Sequence, residues 1–348
     1  MEGSIIQGKT SENSCVLPIF FPPPVKLYLH HAIPLALILT NPDTLDWFYT
    51  NYLQTCNILD NAPYFDEYFQ FFPHNFNWEG CYHLDVQWWY HDDADTVIDF
   101  CRHWIKKRYY LDFDIWENEL PGTFGYQRFH TTHQCLIYGF DDAKKELYSM
   151  CFDERFNFIL IRHSYSNFQN AFRHVISYLN KSKQYLKEEY SLRIMKLTDY
   201  KYEFNHATLK TVFNEYLFSI NSSENCYYSL YFEKKKYTAW GIDIINYLIN
   251  YCKNTEGRLD YRAFHGLLEH KKIMHSRMVY LMKKSLVRTD DKIIEELKNL
   301  EFKADLIRSQ IFRYNRSMSG DSLKKNLSWL EELYNNEKIV IPKIINLL

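Results

Sequence analysis

The order of apolar and polar positions divides the chain into a mixed first half and a helical second half. Residues 109–117, YYLDFDIWE, set Tyr109, Leu111, Phe113 and Ile115 against Tyr110, Asp112, Asp114 and Trp116. That two-residue period predicts a half-buried strand. Two further apolar runs, HQCLIYGF (133–140) and ELYSMCFDERFNFILIRH (146–163), flank the turn residues DDAKK and predict a β-hairpin. Helical spacing surrounds these strands. DDADTVIDFCRHWIKKR (92–108) has an acidic first turn and a basic last turn. SNFQNAFRHVISYLNK (166–181) opens on Ser166 as a cap. Upstream, the proline run of FFPPPVK cannot be helical, and a helix start is expected just after His30-His31, with Pro34 in its first turn. Asn41 with Pro42 marks a second start.

Beyond about residue 200 strand signals become rare. NHATLKTVFNEYLFSI (205–220), AWGIDIINYLINYC (239–252), RLDYRAFHGLLEHKKIMHSRMVYLMKKS (258–285) and DDKIIEELKNLEFKADLIRSQIFRYN (290–315) all carry helical spacing, with SMSGD (317–321) as a break. The expected fold class is α+β: an antiparallel sheet with helices, then an all-helical region. The expected segments are a 1–25 extension, a 26–200 α/β domain and a 201–348 helical region. No internal repeat or low-complexity segment interrupts them.

Composition narrows the function classes. At 348 residues with 46% hydrophobic and 24% charged positions, the chain reads as globular. A net charge of −2 and a pI near 6.7 exclude a nucleic-acid binder that relies on a basic surface. Against only 10 Gly stand 29 Tyr, 25 Phe and 8 Trp, so the core is expected to be rich in rings. MEGSIIQGKTSENSC has no basic segment followed by a long apolar one. AIPLALIL falls far short of the ~18 residues of a membrane span, so no membrane partner is expected. Cysteines 15, 56, 81, 101, 135, 151, 226 and 252 are scattered and form no CxxC, as reduced thiols of a cytoplasmic protein would be.

Neither GxGxxG, GxxxxGK[ST] nor GxSxG occurs, so no nucleotide cofactor and no serine-hydrolase elbow is signalled. His130-x-x-His133, Cys81-Tyr-His83 and His91-Asp92-Asp93 do not combine into a metal-ligand pattern, and no metal or other cofactor is expected. The hairpin carries more. With its turn centred on Ala143, residues pair when their numbers sum to 286, which sets Asp153 opposite His133 and Cys151 opposite Cys135. Cross-strand neighbours stand ~4.5–5.5 Å apart at Cβ, close enough for a carboxylate to hold an imidazole. A one-residue slip would move every side chain to the other face. A histidine held by a carboxylate is half of a catalytic triad. The other half is a nucleophile at a helix N-terminus, yet the helix start near Pro34 reads LYLHHAIP and offers neither Cys nor Ser. The plain alternatives are a satisfied His–Asp pair, small core thiols at Cys135 and Cys151, and turn chemistry for Asp141-Asp142.

The stretches YYLDFDIWENELPGTFGYQRFHTTHQCLIYGFDDAKKELYSMCFD and AWGIDIINYLINY…RLDYRAFHGLLEHKKIMHSRMVYL resemble, in order and content, the papain-fold proteins related to butirosin biosynthesis protein H. The resemblance spans roughly residues 26–290. It implies a cysteine-protease-like fold redirected to secondary-metabolite biosynthesis. Such an acyltransferase takes an acyl group from a carrier-protein thioester and passes it to an amine acceptor, forming an amide bond. His133 would then be the general base and Asp153 its orienting carboxylate. The family's nucleophilic cysteine would fall at His30 or His31, where this sequence departs from the pattern. Three outcomes follow from that departure. His133 promotes direct attack of the amine; or a relocated Cys15, Cys135 or Cys151 supplies the thiol; or the chain is an inactive relative that binds a carrier protein or a peptide. Outside the family, the long helices with Lys/Glu faces would suit an interaction scaffold.

Overall fold

The computed structural model describes residues 3–62, 65–72, 82–129, 132–181, 192–225, 236–288 and 290–348. In chain order the elements are β1 (Ser4–Ile6), β2 (Lys9–Ser11), β3 (Ser14–Val16), β4 (Ile19–Phe21), α1 (Leu29–Ile38), α2 (Leu45–Asn51), β5 (Thr55–Ala62), β6 (Phe65–Phe71), β7 (Leu84–Trp89) and α3 (Val97–Lys106). There follow β8 (Tyr110–Trp116), β9 (Thr132–Asp141), β10 (Glu146–Phe152), β11 (Phe158–Ser164), α4 (Tyr165–Lys181), β12 (Leu192–Leu197), α5 (His206–Leu217) and β13 (Lys236–Trp240). Helices α6 (Asp243–Asn254), α7 (Tyr261–Lys283), α8 (Asp291–Ser317) and α9 (Gly320–Leu347) complete the chain. The fold is α+β, with antiparallel sheets toward the N-terminus and helices toward the C-terminus.

Two compact units emerge, but not along the expected boundaries. Residues 2–42 and 81–201 form one, and residues 43–80 and 202–348 form the other. The first 25 residues are no separate extension: β3 pairs with β9 through Cys15↔Phe140, and β2 pairs with β3. Residues 43–80 belong with the C-terminal helices because β5 pairs with β6 and with β13. The short β13 overlaps the AWGID stretch whose spacing suggested helix alone.

In the sheet unit the main path runs β11-β10-β9-β8-β12-β7, every pairing antiparallel. The β9–β10 ladder keeps the expected register at Leu136↔Met150 and Ile137↔Ser149, then shifts at a bulge between Tyr148 and Ser149. The long run 146–163 is two strands, β10 and β11, broken by a turn at 153–157. Phe113 on β8 meets Phe168 and Phe172 of α4 edge-on, at 5.3 and 5.7 Å, so α4 covers the apolar face of β8. The polar face is not simply solvated. Asp112 is buried and ion-paired with Arg193, its partner on β12, and burial pushes its carboxyl up to about 6. Helix α1 begins at Leu29, two turns' worth of apolar residues follow, and Pro34 lies inside it rather than in its first turn. Helix α4 is capped by Ser164, whose Oγ accepts from Asn167 N–H at 3.2 Å, two residues before the expected Ser166.

His163 on β11 is 1% exposed, and among the described residues neither ring nitrogen has a hydrogen-bond partner. Burial pushes its pKa down to about 4. The unfolded chain therefore binds the extra proton between about pH 6.5 and 4, and stability is lost as pH falls through that window. His163→Leu is expected to flatten this part of the pH–stability curve, a difference of about 3 kcal/mol near pH 4 by denaturant titration. An unchanged slope would show that the ring finds a partner.

In the second unit α7 packs on α8, α8 on α9, and both α5 and α6 on α9. Asn205, Asp260 and Asp290 cap α5, α7 and α8, accepting from Thr208, Arg262 and Ile293 N–H. Met318, with φ +52°, breaks α8 from α9 within the expected SMSGD stretch. Its core holds charge. Lys271 and Glu337 are 1% and 0% exposed at the side chain and form an ion pair. Lys271 Nζ also donates to Tyr216 Oη at 2.9 Å and to His270 Nδ1 at 3.1 Å. Tyr216 Oη donates to Glu337 Oε2 at 2.6 Å, and His270 Nε2 donates to the Leu53 carbonyl at 2.8 Å. Among the described residues no helix is long and apolar enough to cross a membrane.

Candidate active site

The alternation that builds β8 also places a carboxylate. Leu111, Phe113 and Ile115 share one face, and Glu117 follows two residues on, opening a short 3₁₀ turn. Strand β9 pairs alongside with Ile115↔His133 and Phe113↔Cys135. Directly paired residues lie on the same face of a sheet. His133 Nδ1 accordingly sits 3.1 Å from Glu117 Oε1. A carboxylate accepts, so Nδ1 carries a proton, and in the neutral ring the lone pair lies on Nε2. The Glu117 side chain is 2% exposed and the His133 side chain 40%. The carboxylate is thus fixed inside, and the imidazole presents an edge to solvent.

The 120–129 loop fixes the carboxylate further. Glu117 Oε2 accepts the Gly125 N–H at 3.0 Å, and Thr123 Oγ1 donates to the Glu117 carbonyl at 3.1 Å. A Cβ at Gly125 would lie 2.8 Å from Glu117 Cβ and 2.9 Å from Oε2, so the close approach requires glycine. A backbone donor, a buried carboxylate and a histidine with a free nitrogen form a chain suited to moving one proton.

This geometry corrects the expected partner. Asp153 does not hold His133, because the β9–β10 ladder gives out at Met150 and loop residues take its place: Thr123 bridges Asp153, and Phe124 N–H donates to the Phe152 carbonyl at 3.0 Å. The Asp153 carboxylate instead accepts from Arg155 N–H and Asn157 N–H, both at 2.8 Å, and from Asn157 Nδ2 at 3.0 Å. Desolvation pushes its pKa up, but those bonds outweigh it and hold the group below the usual carboxylate range. His30 and His31 form their own cluster on α1. The His30 ring stacks on Tyr28 at 5.4 Å and meets His31 at 4.5 Å, and neither bonds to His133.

The thiols are placed as core. Cys15, Cys135 and Cys151 are 4%, 1% and 1% exposed. Burial pushes the Cys135 and Cys151 thiols well above their ordinary range, away from the thiolate a nucleophile needs. Cys15 Sγ points to the Ile105 carbonyl at 3.9 Å. Among the described residues the one hydrogen-bond partner of the His133 ring is Glu117, while Asp114 acts on the ring through its charge. Cys81, Cys226 and His130 lie outside the described residues, so the His130-x-x-His133 and Cys81-Tyr-His83 spacings have no structural account here.

Glu117 had a signal in the sequence. It ends the alternating run YYLDFDIWE on the Phe113 face, and pairing that run with β9 in place of the β9–β10 hairpin would have brought it to His133. No family model matches the sequence, and neither does any curated protein.

Proposed function

We propose that the protein transfers an acyl group from a thioester to an amine, with His133 as general base and Glu117 as its orienting carboxylate. The observation that carries this is the buried Glu117 holding Nδ1–H of a half-exposed imidazole whose Nε2 is free. The resemblance of the chain to papain-fold acyltransferases supplies the substrate class, a thioester on a carrier protein. The buried, high-pKa thiols favour a route without an acyl-enzyme.

In that route the amine nitrogen attacks the thioester carbonyl while His133 Nε2 takes the ammonium proton. Glu117 stabilises the imidazolium through Nδ1–H. The C–N bond forms as the C–S bond breaks, and the departing sulfur takes the proton back from Nε2. A thioester is already activated, so general-base help of ~10²–10⁴-fold together with positioning accounts for useful rates.

Intact-mass spectrometry of the protein incubated with an aryl thioester and an amine tests this, wild type against His133→Ala. The expected result is amide product, no protein adduct, and loss of product in the variant. A stable adduct mapped to one cysteine would overturn the direct route in favour of a covalent one. Neither adduct nor product would favour a carrier-binding protein without catalysis.

A further inference from the structure

Three phenylalanines pack on one another near the Glu117–His133 pair, two of them half exposed and one of those two in a backbone conformation that costs energy to hold. Phe124 is the residue before Gly125, the donor to Glu117, and its own N–H bonds to the carbonyl of Phe152. The Phe152 ring in turn stacks on the His133 ring at 6.0 Å. The Phe124 ring meets Phe129 at 5.1 Å and Phe156 at 3.7 Å. Phe129 is 46% and Phe156 50% exposed. Two half-exposed rings packed on Phe124, and linked through Phe152 to a histidine that presents an edge to solvent, call for an occupant.

Phe156 makes the case stronger. It sits at the tip of the β10–β11 turn with φ +60°, the left-handed region that bulky side chains avoid. Glycine or asparagine would adopt that conformation with less strain. The turn is held there by the Asp153 carboxylate and by Phe156 N–H to the Asp153 carbonyl at 3.0 Å. Arg128 and Glu154 tie the loop that carries Phe124 and Phe129 to the same tip through an ion pair at 3.1 Å. Asp153, displaced from the histidine, therefore serves the site by presenting a ring. Backbone strain kept in place by so many bonds is typical of ligand clamps.

We infer that Phe124, Phe129 and Phe156 form the acyl subsite and select an aromatic acyl group. Offset and edge-on packing against three rings favours a planar aryl group over a short alkyl one. The inference rests on His133 acting at a thioester carbonyl, because the subsite is joined to that imidazole through the Phe124–Phe152 backbone bond and the Phe152 ring.

Binding separates the two ideas, since it needs no turnover. S-benzyl- and S-ethyl-N-acetylcysteamine are thioethers and cannot acylate anything, and their affinities are read by ligand-observed NMR titration. The wild type is expected to prefer the benzyl compound by about 10-fold. Phe129→Ala and Phe156→Asn should each reduce that preference to about 2-fold or less, while His133→Ala keeps it. Both altered rings are half exposed and Asn suits the turn, so both variants should fold, with circular dichroism as the check. Equal binding of the two thioethers, no binding of either, or a preference untouched in both ring variants would overturn the aryl subsite. Failure of acyl transfer itself shows separately, as absence of amide product from a wild type that still prefers the benzyl compound.

Discussion

Replacing Glu117 by glutamine is expected to lower amide formation by up to about 10⁴-fold while leaving the protein folded, with the loss in kcat. The reasoning follows the two bonds the carboxylate makes. Oε2 accepts from Gly125 N–H and Oε1 accepts from His133 Nδ1–H. A glutamine keeps its carbonyl oxygen toward the backbone donor, because an amide NH₂ there would face the Gly125 N–H. The NH₂ then faces Nδ1 and needs an acceptor, which moves the ring proton to Nε2. A histidine protonated at Nε2 cannot take a proton from the amine. Glu117→Asp, one methylene shorter, cannot span both partners and should fall between glutamine and wild type. Steady-state rates with circular dichroism as a folding control check this. Wild-type kcat in a folded Glu117→Gln protein would remove Glu117 from the mechanism, and with it the base role of His133.

How much of this was legible in the sequence depended on whether a feature was local. The strand 109–117 followed from a two-residue period and the strand opening at His133 from an apolar run before a turn, and β8 and β9 lie there. The 286 register holds where the ladder is regular, at Leu136↔Met150. It fails by His133 and Asp153, three pairs further on, because a loop from residues 120–129 takes the place of the strand, and no pattern within 130–153 announces that insertion. Asp153 was singled out for the right reason, a carboxylate at a paired position, but its neighbours Arg155 and Asn157 offer nearer donors. The unit boundary was illegible for a similar cause. Residues 43–80 join the helical unit through β5–β13 pairing, a contact across some 180 residues that spacing cannot reveal. Nor did helical spacing show which charges are buried. Lys271 and Glu337 occupy ordinary-looking polar positions of long helices.

Those two charges carry the largest expected effect on stability. Glu337→Leu should destabilise the protein by about 3–5 kcal/mol, because it strands a buried ammonium. Lys271 Nζ would keep Tyr216 Oη and His270 Nδ1 as neighbours but lose its only counter-ion in the network, and Tyr216 would lose the acceptor for its hydroxyl. Burial already pushes the Lys271 pKa down, and Glu337 opposes that shift. With the carboxylate gone, the folded pKa drops further below the ~10.4 of the unfolded chain. The unfolded state then binds more protons across the interval between the two values. Stability of the variant must therefore rise with pH there, by up to about 1.4 kcal/mol per unit, until the pH passes the unfolded value. Wild type should show a shallower rise, since Glu337 keeps its lysine nearer the ordinary value. The double variant Lys271→Met/Glu337→Leu removes both charges and should regain most of the loss, with no such slope. Denaturant titrations near pH 7 and pH 9 on all three proteins decide it, as the slope separates a stranded charge from a simple packing defect. A single variant within about 1 kcal/mol of wild type would mean that water reaches Lys271 and that the ion pair contributes nothing to the helical unit.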